Sequence, residues 1–246
     1  MKSYSGKYAL KYGIIAILSS VLVLAFSLWF VKRELSKNQT LTPTFSDKYT
    51  KTYVIDAGHG GEDAGAVATD GTLEKDLNLE ISKSLCLLYE LNGERAVMTR
   101  QDDTLLYDRY KELDNYKGKK KIYDLKNRVR VTEEYENPVF IGIHMNNFSQ
   151  SKYKGLQVYY SKNNEKSRIF AENVQKNTHT YIQNDNKRHI KQADSSIYIL
   201  NSLTCPSILV ECGFMSNDEE LSLYKTEGYR RDIATVIFIS SLSVEA

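Results

Sequence analysis

The chain has 246 residues, enough for one membrane segment and one domain of ordinary size. Its 33 Lys and Arg against 31 Asp and Glu leave a net charge of +2, which argues against a nucleic-acid partner. With 18 Tyr and only 3 Pro, it reads as a packed globular body, not a disordered one.

The N-terminal part differs in kind from the rest. From Tyr12 to Val31 there is no charge, and helical residues over that length cover about 30 Å, the thickness of a bilayer core. Lys2, Lys7 and Lys11 precede the run and Lys32, Arg33 and Lys37 follow it, so the positive-inside rule is nearly silent. Residues 1–35 are expected to be a membrane anchor. The rival is a cleaved signal peptide, whose small-x-small candidate, Ala25-Phe26-Ser27, falls inside the apolar run. By analogy with signal anchors, the remainder is expected outside the cytoplasm: tethered to the membrane, or secreted if the segment is removed. Residues 36–50 are polar and aperiodic and read as a linker.

Residues 51–246 carry the folded domain. Residues 52–56 are a compact apolar strand. From Leu73, apolar residues recur at 77, 81, 85 and 88, a helical stripe that stops near Asn92-Gly93. Residues 96–99 form a second strand. Residues 101–123, charged and rich in Tyr, read as an exposed excursion. A helix is expected over 124–136, strands over 139–144 and 156–160, and a helix over 167–183. Strands are expected over 197–200 and 208–211, and closing helices over 219–224 and 229–244. Strands alternating with helices predict an α/β domain with a mostly parallel central sheet and helices on both faces, preceded by one transmembrane helix. The three cysteines, Cys86, Cys205 and Cys212, make neither a disulfide framework nor a C-x-x-C pair and read as small buried hydrophobes.

Ligands in such sheets bind at the carboxyl ends of strands. His59, in Asp56-Ala57-Gly58-His59-Gly60-Gly61, lies just beyond the first strand. His144 follows Phe140-Ile141-Gly142-Ile143, and Glu211 follows Ile208-Leu209-Val210. Glu74 opens the first helical stripe. Catalytic zinc takes three such ligands and a water, so His59, Glu74 and His144 could hold the metal and leave Glu211 to act on the water. The glycines beside His59 would let the backbone turn sharply. Asp56 and Asp63 are candidate acceptors for an imidazole N–H.

Each residue also has a plain structural role. His59 would serve as a turn residue, Glu74 as a partner of the helix dipole, and His144 as a satisfied core histidine. Glu211 resists this, because an unpaired carboxylate at the end of a buried strand is costly. His179 and His189 read as surface residues. Arg128 and Asn146 are weaker candidates for holding a substrate; an Arg on such a helix is more often a surface ion pair.

Several separated motifs together resemble the zinc-dependent N-acetylmuramoyl-L-alanine amidases of the amidase-3 family. They are Val54-Ile55-Asp56-Ala57-Gly58-His59-Gly60-Gly61-Glu62-Asp63-Ala64-Gly65-Ala66, Glu74-Lys75-Asp76, Met98-Thr99-Arg100, Ile141-Gly142-Ile143-His144-Met145-Asn146, and Leu209-Val210-Glu211-Cys212-Gly213-Phe214-Met215-Ser216-Asn217. The resemblance covers about residues 52–242. It implies Zn2+ held by His59, Glu74 and His144, with Glu211 as the catalytic carboxylate. It also implies hydrolysis of the amide between N-acetylmuramic acid and L-alanine in peptidoglycan. Here Gly142, Met145 and Asn147 replace the small residues that often surround the second histidine in the family. No wall-binding repeat accompanies the domain. A bare catalytic domain on one anchor resembles the sporulation branch, the germination-specific amidases that modify spore cortex. That branch implies a site in the forespore intermembrane space and leaves room for a regulatory protein partner. The alternatives are another zinc peptidoglycan amide hydrolase, or a membrane-tethered cell-wall binding protein with little activity of its own.

Overall fold

The computed structural model describes residues 51–111 and 118–244, together with Ser27 and Trp29. The chain divides into two units, Met1–Lys48 and Tyr49–Ala246. The expected membrane segment lies, apart from Ser27 and Trp29, outside the described residues. Among the described residues no helix is long and apolar enough to cross a membrane.

The second unit is built on one six-stranded sheet in the order β2-β1-β3-β6-β4-β5. Its strands are β1 (Thr52–Ala57), β2 (Ala96–Met98), β3 (Pro138–Asn146), β4 (Gln157–Tyr160), β5 (Lys191–Gln192) and β6 (Ser207–Phe214). All pairings are parallel except β4 with β6. The helices are α1 (Glu74–Leu91), α2 (Lys120–Glu133), α3 (Glu165–Tyr181), α4 (Tyr198–Ser202), α5 (Asp218–Tyr224) and α6 (Glu227–Ser241).

Continuous apolar runs form the central strands because both faces are covered. Along β1, Tyr53 and Ile55 enter one core and Val54 the other, as the period of two requires. The larger core holds Leu77, Ile81 and Leu85 of α1, Phe170 and Val174 of α3, Leu221 of α5, and Ile233 and Ile237 of α6. Tyr89 stacks on Tyr53 with ring centres 3.9 Å apart, and its hydroxyl donates to Ser241 Oγ at 2.6 Å. The smaller core, around Phe140 and Leu209, is covered by Val129 of α2 and by Ile199 and Leu200 of α4.

Two expectations need correction. Residues 197–200 do not pair in the sheet; Tyr198–Ser202 is a helical turn whose Ile199 and Leu200 cap the smaller core. A four-residue apolar run fits a buried strand and a buried turn equally well. The segment after β2 is not a simple exposed excursion either. Leu106 is buried there, its N–H donates to Asp124 Oδ1 at 2.6 Å, and its carbonyl accepts from Asn127 Nδ2 at 2.6 Å. The lysines at 119–121 open α2, which starts earlier than the apolar pattern indicated.

Candidate active site

The carboxyl ends of β1, β3 and β6 lie side by side, and the register sets His144 of β3 opposite Glu211 of β6. A register shift between His144 and Asn146 bends the end of β3 at this point. After β1 the chain turns at once. His59 has φ 62°, Gly60 139° and Gly61 54°, so His59 itself occupies the left-handed region that its neighbouring glycines tolerate freely.

Glu74 comes to the same place from the first turn of α1. That helix has no side-chain N-cap; the Glu74 and Lys75 N–H groups donate instead to the carbonyls of Ala66 and Ala64. The loop that carries residues 64–66 is thus sewn onto the helix end, and the Glu74 side chain is left free to face the sheet. It is buried at 4% exposure and heavily used. Oε2 accepts from Ala66 N at 2.8 Å, while Oε1 accepts from Met145 N at 3.1 Å and Asn78 Nδ2 at 3.3 Å.

His59 Nε2 lies 3.2 Å from Glu74 Oε1, and His144 Nδ1 lies 3.1 Å from the same oxygen. One ligand atom from each of His59, Glu74 and His144 falls within 4.8 Å of the others. The two rings stand nearly perpendicular with centres 5.0 Å apart. The other nitrogen of His59, Nδ1, is 3.0 Å from Asp63 Oδ2, so that with a cation bound Asp63 would hold the proton on Nδ1 and leave the Nε2 lone pair to the metal. Asp63 therefore takes the orienting place foreseen for it.

Asp56 does not. It accepts from Thr99 Oγ1 at 2.6 Å and from Arg128 Nη1 at 2.7 Å, beneath the turn.

Charge follows this geometry. Burial alone would lower the His59 pKa, but hydrogen bonds and charge from Glu74 and Asp63 outweigh it and raise the pKa. Burial would raise the Glu74 carboxyl; the two imidazoles instead hold it far below the usual carboxylate range. Glu211 is different. Burial pushes its carboxyl up, and Oε2 is enclosed without a hydrogen-bond partner. Two carboxylates of one rim thus carry opposite shifts, Glu74 held down by the imidazoles and Glu211 raised by burial.

The donors fit a divalent cation. Two imidazoles and a carboxylate are a catalytic zinc set, and the convergence of both imidazoles on one oxygen is the arrangement a shared cation would stabilise. Glycine makes the convergence sterically feasible. A Cβ on Gly58 would sit 2.3 Å from the His144 ring, and one on Gly65 would sit 2.6 Å from Glu74 Oε2 and 2.7 Å from His59 Cδ2. The Gly58→Ala change is expected to displace His144 and weaken metal binding by about 10–100-fold, as loss of ligand orientation does elsewhere. Competition with a chromogenic chelator would measure it, and unchanged affinity would show that the His144 ring can retreat without penalty.

Arg128 requires a correction. It is neither a surface ion pair nor a substrate-holding group, for it is 1% exposed and points away from solvent. Its Nε donates to Asp124 Oδ2 at 2.7 Å, Nη1 to Asp56 Oδ1 at 2.7 Å and Ala57 O at 2.8 Å, and Nη2 to His59 O at 2.7 Å. It is a clamp under the turn that presents His59. Asn146 is half-buried at the end of β3, with its carbonyl accepting from Met215 N at 2.8 Å. Three helpers escaped the sequence reading. Asn78, one turn after Glu74, donates to Gly58 O at 3.2 Å as well as to Glu74. Arg100 donates to the carbonyls of Ala57, Gly58 and Lys75. Lys75 Nζ donates to Gly61 O at 2.7 Å and Asp103 Oδ2 at 2.6 Å. The helical spacing of Asn78 from Glu74 was the one signal that could have exposed this network.

A parallel-sheet rim that gathers two imidazoles and a carboxylate, with a second, buried carboxylate on the neighbouring strand, is the layout of a hydrolase with a candidate metal site. Residues 54–240 match the N-acetylmuramoyl-L-alanine amidase family, and the chain belongs to it. It is accordingly an enzyme that acts on peptidoglycan. It is 30% identical over 228 residues to the germination-specific N-acetylmuramoyl-L-alanine amidase of Bacillus subtilis, covering 90% of this chain and 91% of that protein. Among solved structures it is similar to the CwlD amidase from Clostridioides difficile in complex with the GerS lipoprotein. The TM-score is 0.73 at 38% identity, over 79% of this chain and 98% of that one. AmiC2 of Nostoc punctiforme, also an N-acetylmuramoyl-L-alanine amidase, follows with TM-score 0.65 and 31% identity, over 78% and 96% of the two chains.

Proposed function

We propose that this amidase is zinc-dependent, that His59, Glu74 and His144 hold the metal, that Glu211 is its catalytic base, and that it modifies spore cortex in preparation for germination. The convergence of the three donor atoms within 4.8 Å carries the metal assignment. The full-length likeness to a germination-specific amidase supports the cortex role. Zinc supplies a Lewis acid and brings the pKa of water down towards about 7.

The chain's own groups do the rest. Asp63 keeps the His59 proton on Nδ1, so that Nε2 faces inward. The N–H groups of Ala66 and Met145 hold both oxygens of Glu74 in place. Glu211, with a carboxyl raised by burial, takes a proton from water as the amide carbon is attacked and returns it to the departing L-alanine amine. Asn146, two residues after His144 at the end of β3, is assigned to substrate holding in this reading.

The anchor at residues 1–35 would keep the domain at the membrane, outside the cytoplasm, within reach of the wall. The complex of the clostridial neighbour with a lipoprotein supports a protein partner here as well.

The test is digestion of purified cortex peptidoglycan by the full chain, with and without a zinc chelator, followed by mass analysis. Stem peptides with a free L-alanine amine should appear, disappear on chelation and return with zinc. Cleavage within the peptide, or deacetylation of the glycan, would replace this proposal with another amide hydrolysis. Turnover that survives complete removal of metal would refute the zinc assignment.

A further inference from the structure

Beyond the metal-binding residues, one cation at the β4 side of the site is built with unusual care. Arg188 lies in the loop between α3 and β5, and its N–H donates to Asn186 Oδ1 at 2.9 Å. Asn186 is in turn tied to Leu156 O at 2.8 Å and Gln183 Oε1 at 2.9 Å. The guanidinium lies over the Phe214 ring, 4.9 Å from its centre, and donates through Nη2 to Gln157 Oε1. Gln157 is buried and is fixed from its other end, where Nε2 donates to His189 O at 2.7 Å. In the sheet Gln157 stands directly opposite Glu211. A chain of contacts thus runs from the strand position of the proposed base to this Arg, and the Arg188 charge is felt at Glu211.

The guanidinium is nevertheless underused. Among the described residues no carboxylate forms an ion pair with it, and its Nε is enclosed without a hydrogen-bond partner. The nearby Glu220 carboxylate is committed to the N–H groups of Gly155 and Phe214, each at 2.8 Å. Arg188 borders an open cavity of about 610 Å3, shared with Tyr153, Gly155, Glu220 and Tyr229. With Nε enclosed, the donors left for a ligand are on Nη1 and Nη2, and those two terminal nitrogens match a carboxylate in two parallel bonds.

We propose that Arg188 receives a carboxylate of the stem peptide, the α-carboxylate of its second residue, and so selects muropeptides in which that group is free over those in which it is a carboxamide. This rests on the peptidoglycan amidase reading, in which the scissile amide lies at Glu211. The second stem residue is then the first to carry an anion on the departing side. Lys152, Lys154 and Lys187 share the cavity, but Arg188 is the cation fixed by stacking and by Gln157 opposite Glu211. Gln157 and Phe214 set the guanidinium plane before substrate arrives, which lowers the ordering cost of binding.

The experiment uses the full chain, as parent, Arg188→Gln and Arg188→Lys, with two muropeptides that differ only in an α-carboxylate or α-carboxamide on the second stem residue. The parent should favour the carboxylate by roughly tenfold or more in kcat/KM, the scale of a charge-assisted hydrogen bond. Arg188→Gln should erase that preference, lowering kcat/KM on the carboxylate substrate by a larger factor than on the carboxamide, mainly through KM. Arg188→Lys should restore part of it. Equal losses on both substrates would mark Arg188 as merely structural and overturn the proposal, as would a parent without preference. If the parent cleaves neither muropeptide, the amidase reading fails separately. Arg188 is then judged by affinity for the two uncleaved ligands, where the same ordering in parent and variants is required.

Discussion

Replacing Glu211 by Gln is expected to slow release of stem peptide by about a hundred- to ten-thousand-fold, the span that a positioned general base contributes. The shape of the side chain is kept, so the strand pairing of Glu211 with His144 and Gln157 should persist. What is lost is the ability to accept a proton. Glu211 is suited to that task because burial raises its carboxyl and because Oε2 has no hydrogen bond that would stabilise the anion. A neutral amide removes a poorly solvated charge, so the variant should melt no lower than the parent. Zinc content should also be unchanged, since Glu211 is not among the converging donors. Kinetics, calorimetry and metal analysis on one preparation separate the cases. Full activity in Glu211→Gln would remove the residue from proton transfer, and loss of zinc would make it a ligand.

The legibility of the site and of its support differ for a physical reason. His59, His144 and Glu211 each end an apolar run, and a parallel sheet brings such ends to one rim whatever the intervening lengths. Glu74 could be added because a helix start has to face that rim. The central strands were readable for the same reason: Tyr53, Ile55, Ile141, Ile143, Ile208 and Val210 are buried without interruption. The short elements were not. Tyr198-Ile199-Leu200 carries too few residues to reveal its period, and β5 is an exposed Lys191-Gln192 pair with no apolar signal. The clamps beneath the site were harder still. Arg128 follows Asp124 by four residues, the spacing of an ordinary exposed helix pair. Only the placement of α2 under β1 shows that Asp56 completes a buried triad. An Arg whose partners come from distant segments has no local signature.

That triad leads to the largest expected effect on stability. Arg128→Leu should destabilise the domain by about 3–5 kcal/mol, because two buried carboxylates, Asp56 and Asp124, would lose their shared counter-charge. The carbonyls of Ala57 and His59 would lose their donors in the same step. Thermal unfolding by circular dichroism should fall by roughly 10 °C for a domain of this size. Activity below the new transition should fall as well, since the left-handed turn at His59 would no longer be held from beneath. Neutralising one acid while keeping its acceptor for Leu106 N–H should recover part of the loss, so Arg128→Leu combined with Asp124→Asn should melt above Arg128→Leu alone. If the ion pairs were dispensable, both variants would melt with the parent. A variant that kept the parental melting temperature but bound muropeptide weakly would return Arg128 to the substrate-holding role its burial denies. The physical argument is that a guanidinium at 1% exposure, with four hydrogen bonds to protein oxygens, has no face left for a ligand. Arg188, half-buried beside an open cavity with donors to spare, does.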